Sequence, residues 1–118
     1  MQVLEKRSSE QVRYDIDLSA LLTAGETISS VSALSVEPVT VPPVAFGAPS
    51  INGVASTYTD AWGSSRTAPA GTVVQVVISG GKIATGAQVQ DYTVRCKVVT
   101  SFSPLVEGTV VLRIKDAP

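Results

Sequence analysis

Gln90-Asp91-Tyr92-Thr93-Val94-Arg95-Cys96-Lys97-Val98-Val99-Thr100 alternates apolar and polar residues along most of its length. Successive side chains of a strand point to opposite faces, so Tyr92, Val94, Cys96 and Val98 share one face and Asp91, Thr93, Arg95 and Lys97 the other. A strand that is dry on one face and wet on the other belongs to an antiparallel sheet covered on one side. After the turn Ser101-Phe102-Ser103-Pro104 the alternation resumes with Val110, Leu112 and Ile114 inward, so strands over 90–100 and 107–115 are expected to form a hairpin. Upstream, Thr72-Val73-Val74-Gln75-Val76-Val77-Ile78-Ser79 is rich in β-branched residues and free of breakers, which predicts a central strand with Val74, Val76 and Ile78 facing the core. Gly80-Gly81-Lys82 then supplies a tight connection.

The first half of the chain is less regular. Tyr14-Asp15-Ile16-Asp17-Leu18 predicts a short first strand, and Leu18-Ser19-Ala20-Leu21-Leu22 one helical turn closed near Gly25. From Thr27 to Val36 the apolar positions keep no single parity, as a bulged strand would. Pro38, Pro42 and Pro43 confine the next segment to a sheet edge or a crossover, and the Gly/Pro-rich residues 44–71 read as long loops with one weak strand around Ile51–Tyr58. Residues 1–13 show no core-facing period, and read as an extended N-terminal arm whose removal over 1–10 would leave the domain folded. The expected architecture is therefore all-β, an antiparallel immunoglobulin-like β-sandwich over 14–118 preceded by the arm. Tyr92 suits either a tyrosine corner, its hydroxyl bonded to upstream backbone, or an ordinary core tyrosine.

Composition narrows the chemistry. The 118 residues suffice for one core, and 44% are hydrophobic while only 16% are charged, leaving a weakly charged surface. Nine basic against ten acidic residues provide no field for a nucleic-acid backbone or an anionic membrane. The N-terminus lacks the apolar run of a signal peptide and no stretch is long enough to span a bilayer, so the product is expected to be made and kept in a cytoplasm. Cys96 is the single cysteine, excluding an intrachain disulfide, and it alternates into the apolar face, where a thiol is unreactive.

With no histidine, no Ser/His/Asp or Cys/His arrangement can form, and the chain reads as non-enzymatic, without cofactor or metal. Asp15 and Asp17 lie about 7 Å apart on one strand face, near the spacing of an inverting glycosidase pair. One Trp, three Tyr and two Phe are too few for an aromatic-lined cleft, so the pair reads as a wet strand face. A calcium site from Asp15, Asp17 and Glu26 needs more oxygen ligands than this spacing guarantees. Gly80-Gly81 with Gly86 lacks the Lys-Ser/Thr of a phosphate loop. Trp62, near Tyr58 in a segment of small residues, reads first as a plug over the sandwich end, with an interface anchor as the alternative.

Lys6, Glu10, Val12, Tyr14, Ile16, Asp17 and Ser19, followed by Leu22, Gly25, Glu26, Thr27 and Ile28, make a pattern that resembles small virion proteins of tailed bacteriophages. Gly80-Gly81, Asp91-Tyr92-Thr93-Val94 and Thr100-Ser101 extend the resemblance. Arg7-Ser8 replaces the family's Asp-Pro, Arg13 its acidic residue, and Leu18 its tryptophan. The resemblance implies a non-enzymatic immunoglobulin-like structural protein of the fiber-to-tail adaptor type, with capsid decoration proteins as near neighbours in shape. Its implied partners are other virion proteins, from tail, neck or fiber, in a ring-like assembly. A carbohydrate-binding sandwich module is the rival from another class, but it calls for a row of surface aromatics where only Tyr58 and Trp62 are available. The residues expected at a partner interface are Val3, Leu4, Lys6, Arg7 and Val12 of the arm, with Tyr58 and Trp62 of the 44–71 loops.

Overall fold

The structure is a computed structural model that describes residues 2–40, 42–59, 62–83 and 86–115. The described strands are, in chain order, β1 (Val3–Lys6), β2 (Val12–Asp17), β3 (Ile28–Glu37), β4 (Val44–Phe46), β5 (Ser50–Ile51), β6 (Ser56–Thr59), β7 (Ser65–Ala68), β8 (Val73–Gly80), β9 (Val89–Thr100) and β10 (Leu105–Lys115). One sheet has the order β1-β10-β9-β3, and a second the order β2-β8-β4 with β5 also on β8. Strands β6 and β7 form a separate hairpin. Two sheets in which β8 lies between β2 and β4–β5 while β9 lies between β10 and β3 have the connectivity of an immunoglobulin sandwich, with β6–β7 inserted before β8.

The expected hairpin forms as β9 and β10, with Tyr92 opposite Leu112 and Val94 opposite Val110. Across the core they meet β8, where Val74, Val76 and Ile78 are buried as their alternation demands. Enclosing each such aliphatic side chain contributes about 1.5–3 kcal/mol, and these three strands carry most of the core. The Tyr92 hydroxyl donates to the Lys82 carbonyl at 2.6 Å and accepts from the Lys82 N–H at 2.8 Å, so the tyrosine-corner reading is the one the fold adopts. Gly80 needs its glycine: φ is +73°, and a Cβ there would sit 2.2 Å from the Pro43 carbonyl oxygen. The irregularity expected between Thr27 and Val36 appears in β3 as two register shifts, between Ile28 and Ser30 and between Val31 and Ala33.

The expected N-terminal arm is instead part of the sandwich. β1 lies parallel to β10, Val3 opposite Val111 through Lys6 opposite Ile114, and Leu4 is in the core at 5% exposure. Polar side chains then stitch β1 to the edge of β2. The Gln2 amide donates to the Asp15 carbonyl at 2.6 Å and accepts from the Asp17 N–H at 3.0 Å, as a neighbouring backbone would. The Tyr14 hydroxyl donates to the Glu5 carbonyl, and burial followed by the nearby Glu10 and Glu5 pushes its pKa to about 12. Lys6 is buried with its ammonium on the carbonyls of Arg7 and Glu10, closing the turn between the strands. Four residues are too few to display a period, and the stitching to β2 uses polar side chains, which is why composition suggests an arm.

The described residues of the 44–71 segment are likewise more ordered than loops. β4 and β5 extend β8 on its second edge, and Asn52, 3% exposed, organises the next connection. Its Oδ1 accepts from the N–H groups of Gly71, Thr72 and Val73 at 3.0–3.1 Å, while Nδ2 donates to the carbonyls of Val54 and Pro69. One buried side chain thus satisfies backbone groups of the loop and of the first residue of β8.

Candidate functional site

Asp17 ends β2 and fastens the inserted hairpin. Its Oδ2 accepts from the Tyr58 hydroxyl of β6 at 2.5 Å, and its Oδ1 accepts from the Ser19 N–H at 2.9 Å. Both carboxylate oxygens therefore serve structure, and the sequence-level pairing with Asp15 as acid and base loses one member. The Ser19 bond starts the short 3-10 turn Ser19–Leu21, the helical turn the sequence predicted.

Between that turn, the hairpin and β10 lies a groove of about 650 Å³. Trp62 stands on one wall at 84% exposure, so it is no plug over the sandwich end. Leu21, half exposed, lines the groove too, as do Arg66 and Glu107, one charge of each sign. Gly108 of β10 is buried beneath, because Leu18 fills the space a side chain would take: a Cβ there would lie 2.1 Å from Leu18 Cδ2. That close approach is what a lone glycine inside an alternating strand signals.

Of the seven residues expected at an interface, the groove brings together Tyr58 and Trp62. Leu4 and Lys6 are buried and withdrawn from partners, a correction that follows from β1 being a sheet strand. Val3 and Val12 are half-buried, and Arg7 is exposed at the turn after β1. Leu21, Arg66 and Glu107 were not anticipated, since they come from three distant segments with no local pattern in common.

Several other charged groups pair with one another. On the outer face of the first sheet Arg95 contacts Glu37 at 2.7 Å and Glu107 at 3.5 Å, and Arg113 holds Asp91 at 2.9 Å. The hydrogen bond from Arg113 lowers the Asp91 carboxyl below its ordinary range. Glu26, which a calcium site would share with Asp15 and Asp17, instead accepts from the Thr100 hydroxyl and the Thr23 N–H, which lower its pKa. Among the described residues no three acidic, Cys or His groups are placed to hold a metal. Burial pushes the Cys96 thiol up to about 11, where the thiolate is scarce at neutral pH. No helix of the described residues is long and apolar enough to cross a membrane.

The fold is an immunoglobulin-like sandwich, and its groove is lined by the exposed indole of Trp62 together with Leu21, Arg66 and Glu107. The family model of the podophage GP4 fiber-tail adaptor protein gp77 matches residues 6–113, and the chain belongs to that family. It is accordingly a component of the phage virion that connects tail and fibers. No curated protein matches the chain.

Proposed function

We propose that this adaptor works without catalysis, made in the host cytoplasm and assembled as a ring of copies, and that the groove beside Trp62 seats a segment of a tail or fiber subunit. The carrying observation is Trp62 itself, 84% exposed beside a groove that Leu18, Ala20 and Leu21 also line. An indole exposed to this extent gains from a partner that encloses it, and such anchors dominate interface energetics. Tyr58 supports the reading from below, since its bond to Asp17 fixes the hairpin that carries Trp62.

The test is particle assembly with Trp62→Ala. The variant is expected to melt like wild type but to bind its tail or fiber partner with about 2 kcal/mol less affinity, about thirtyfold, giving particles depleted of fibers. Wild-type fiber occupancy with this variant sinks the assignment of the groove.

A further inference from the structure

The two long sides of the sandwich are finished differently. β1 and β2 are stitched by Gln2 and Tyr14, whereas on the opposite side β3 closes the first sheet and β4–β5 the second. Among the described residues no strand pairs with the outer edge of β3. Val31, Leu34 and Val36 of β3 remain half-buried, as do Phe46 and Ile51 across the seam. Edge strands are usually protected by charge, proline, bulges or brevity. β4 and β5 are brief, and the first half of β3 carries two bulges and is tied down where the Ile28 N–H donates to Gly71 at 2.7 Å. From Ala33 to Glu37 none of these protections applies until Glu37: the register with β9 is unbroken, Ala33 opposite Lys97 to Glu37 opposite Thr93.

We infer that Ala33–Glu37 is a self-pairing edge, at which a second copy of this chain adds its own β3 antiparallel about a two-fold axis through Ser35. The stretch is complementary to itself. Leu34 and Val36 lie opposite buried Cys96 and Val94, so both face the core side. In the two-fold pair Leu34 of each copy falls opposite Val36 of the other, closing the half-buried seam. Ala33 falls opposite Glu37 and Ser35 opposite its mate on the outer side, so no like charges meet directly. Glu37 arrives already neutralised by Arg95 at 2.7 Å. Pairing of identical patches is the commonest symmetric solution, and it turns two four-stranded sheets into one continuous sheet. This surface is distinct from the Trp62 groove and does not depend on it.

The experiment is sedimentation equilibrium on the full chain, wild type and Ser35→Asp, from micromolar to submillimolar concentration. Ser35 is exposed and lies opposite Arg95, so an aspartate there suits the folded monomer while facing its mate and Glu37 of the second copy. Wild type is expected to dimerise with concentration, and Ser35→Asp to weaken the dimer about tenfold or more. Ser35→Cys gives an independent readout. Opposed Cα atoms of an antiparallel pair lie about 4.5–5.5 Å apart, within disulfide reach, and the native Cys96 is buried and silent. Oxidation should yield a covalent dimer of Ser35→Cys and none of wild type. A chain that stays monomeric throughout, a dimer indifferent to Ser35→Asp, or a Ser35→Cys protein that fails to crosslink each overturns the inference, whereas loss of Trp62 binding leaves it standing.

Discussion

The Tyr92 hydroxyl grips Lys82 by both polar groups of its peptide backbone, donating to the carbonyl and accepting from the N–H, ten residues upstream. It also meets the Thr40 hydroxyl at 3.0 Å, so one phenol ties the connection into β9 to the crossover that follows β3. Tyr92→Phe keeps the ring and removes only these bonds. It is expected to cost about 1–3 kcal/mol, because backbone groups of Lys82 lose their partner inside the fold. Denaturant unfolding of the two proteins measures it, and an unchanged midpoint would show that water replaces the hydroxyl.

Leu4 places the N-terminus in the core. Leu4→Ala should cost about 2–5 kcal/mol, and removal of residues 1–6 should cost more, since it also uncovers the β10 edge. Thermal melts of both variants check this. A truncated protein as stable as wild type would restore the arm reading.

At Gly108, alanine would drive a methyl into Leu18 Cδ2. Overpacking of this kind costs about 1–3 kcal/mol. Combining Gly108→Ala with Leu18→Val should cost less than the sum of the two, as contacting residues do, and strict additivity would refute the contact.

Glu26 predicts the direction of an acid response. The Thr100 hydroxyl and Thr23 N–H favour its charged form, so its folded pKa lies below the unfolded value. A depressed carboxyl stabilises fully above its unfolded pKa, and that stabilisation is lost as pH falls through the folded one. Melting temperature should therefore fall on acidification below about pH 4. Glu26→Gln should flatten that fall, and an identical acid profile in the variant would assign the response to other carboxylates.

Strand periodicity is a local signal, and where it was strong the sequence was legible. Tyr92, Val94, Cys96 and Val98 on β9, Val110, Leu112 and Ile114 on β10, and Val74, Val76 and Ile78 on β8 took the faces their alternation dictated. The third strand was recognisable with its bulges because its parity visibly slips. β1 was not, since four residues with a buried lysine among them show no face of their own. Of the residues around the groove, Trp62 and Tyr58 stand out by residue type, whereas Leu21, Arg66 and Glu107 share no local pattern that would mark them.

The sequence by itself thus determined the all-β class, the central strands and their buried faces, because a period of two specifies direction residue by residue. It also determined the lack of histidine chemistry. Only the tertiary structure decided where the N-terminus lies, what shapes the groove and which edge is left open. Those features rest on encounters between distant segments, Tyr58 with Asp17 and Thr100 with Glu26, which are 41 and 74 residues apart. Whether two such groups meet depends on how the sheets stack, and no local pattern encodes that.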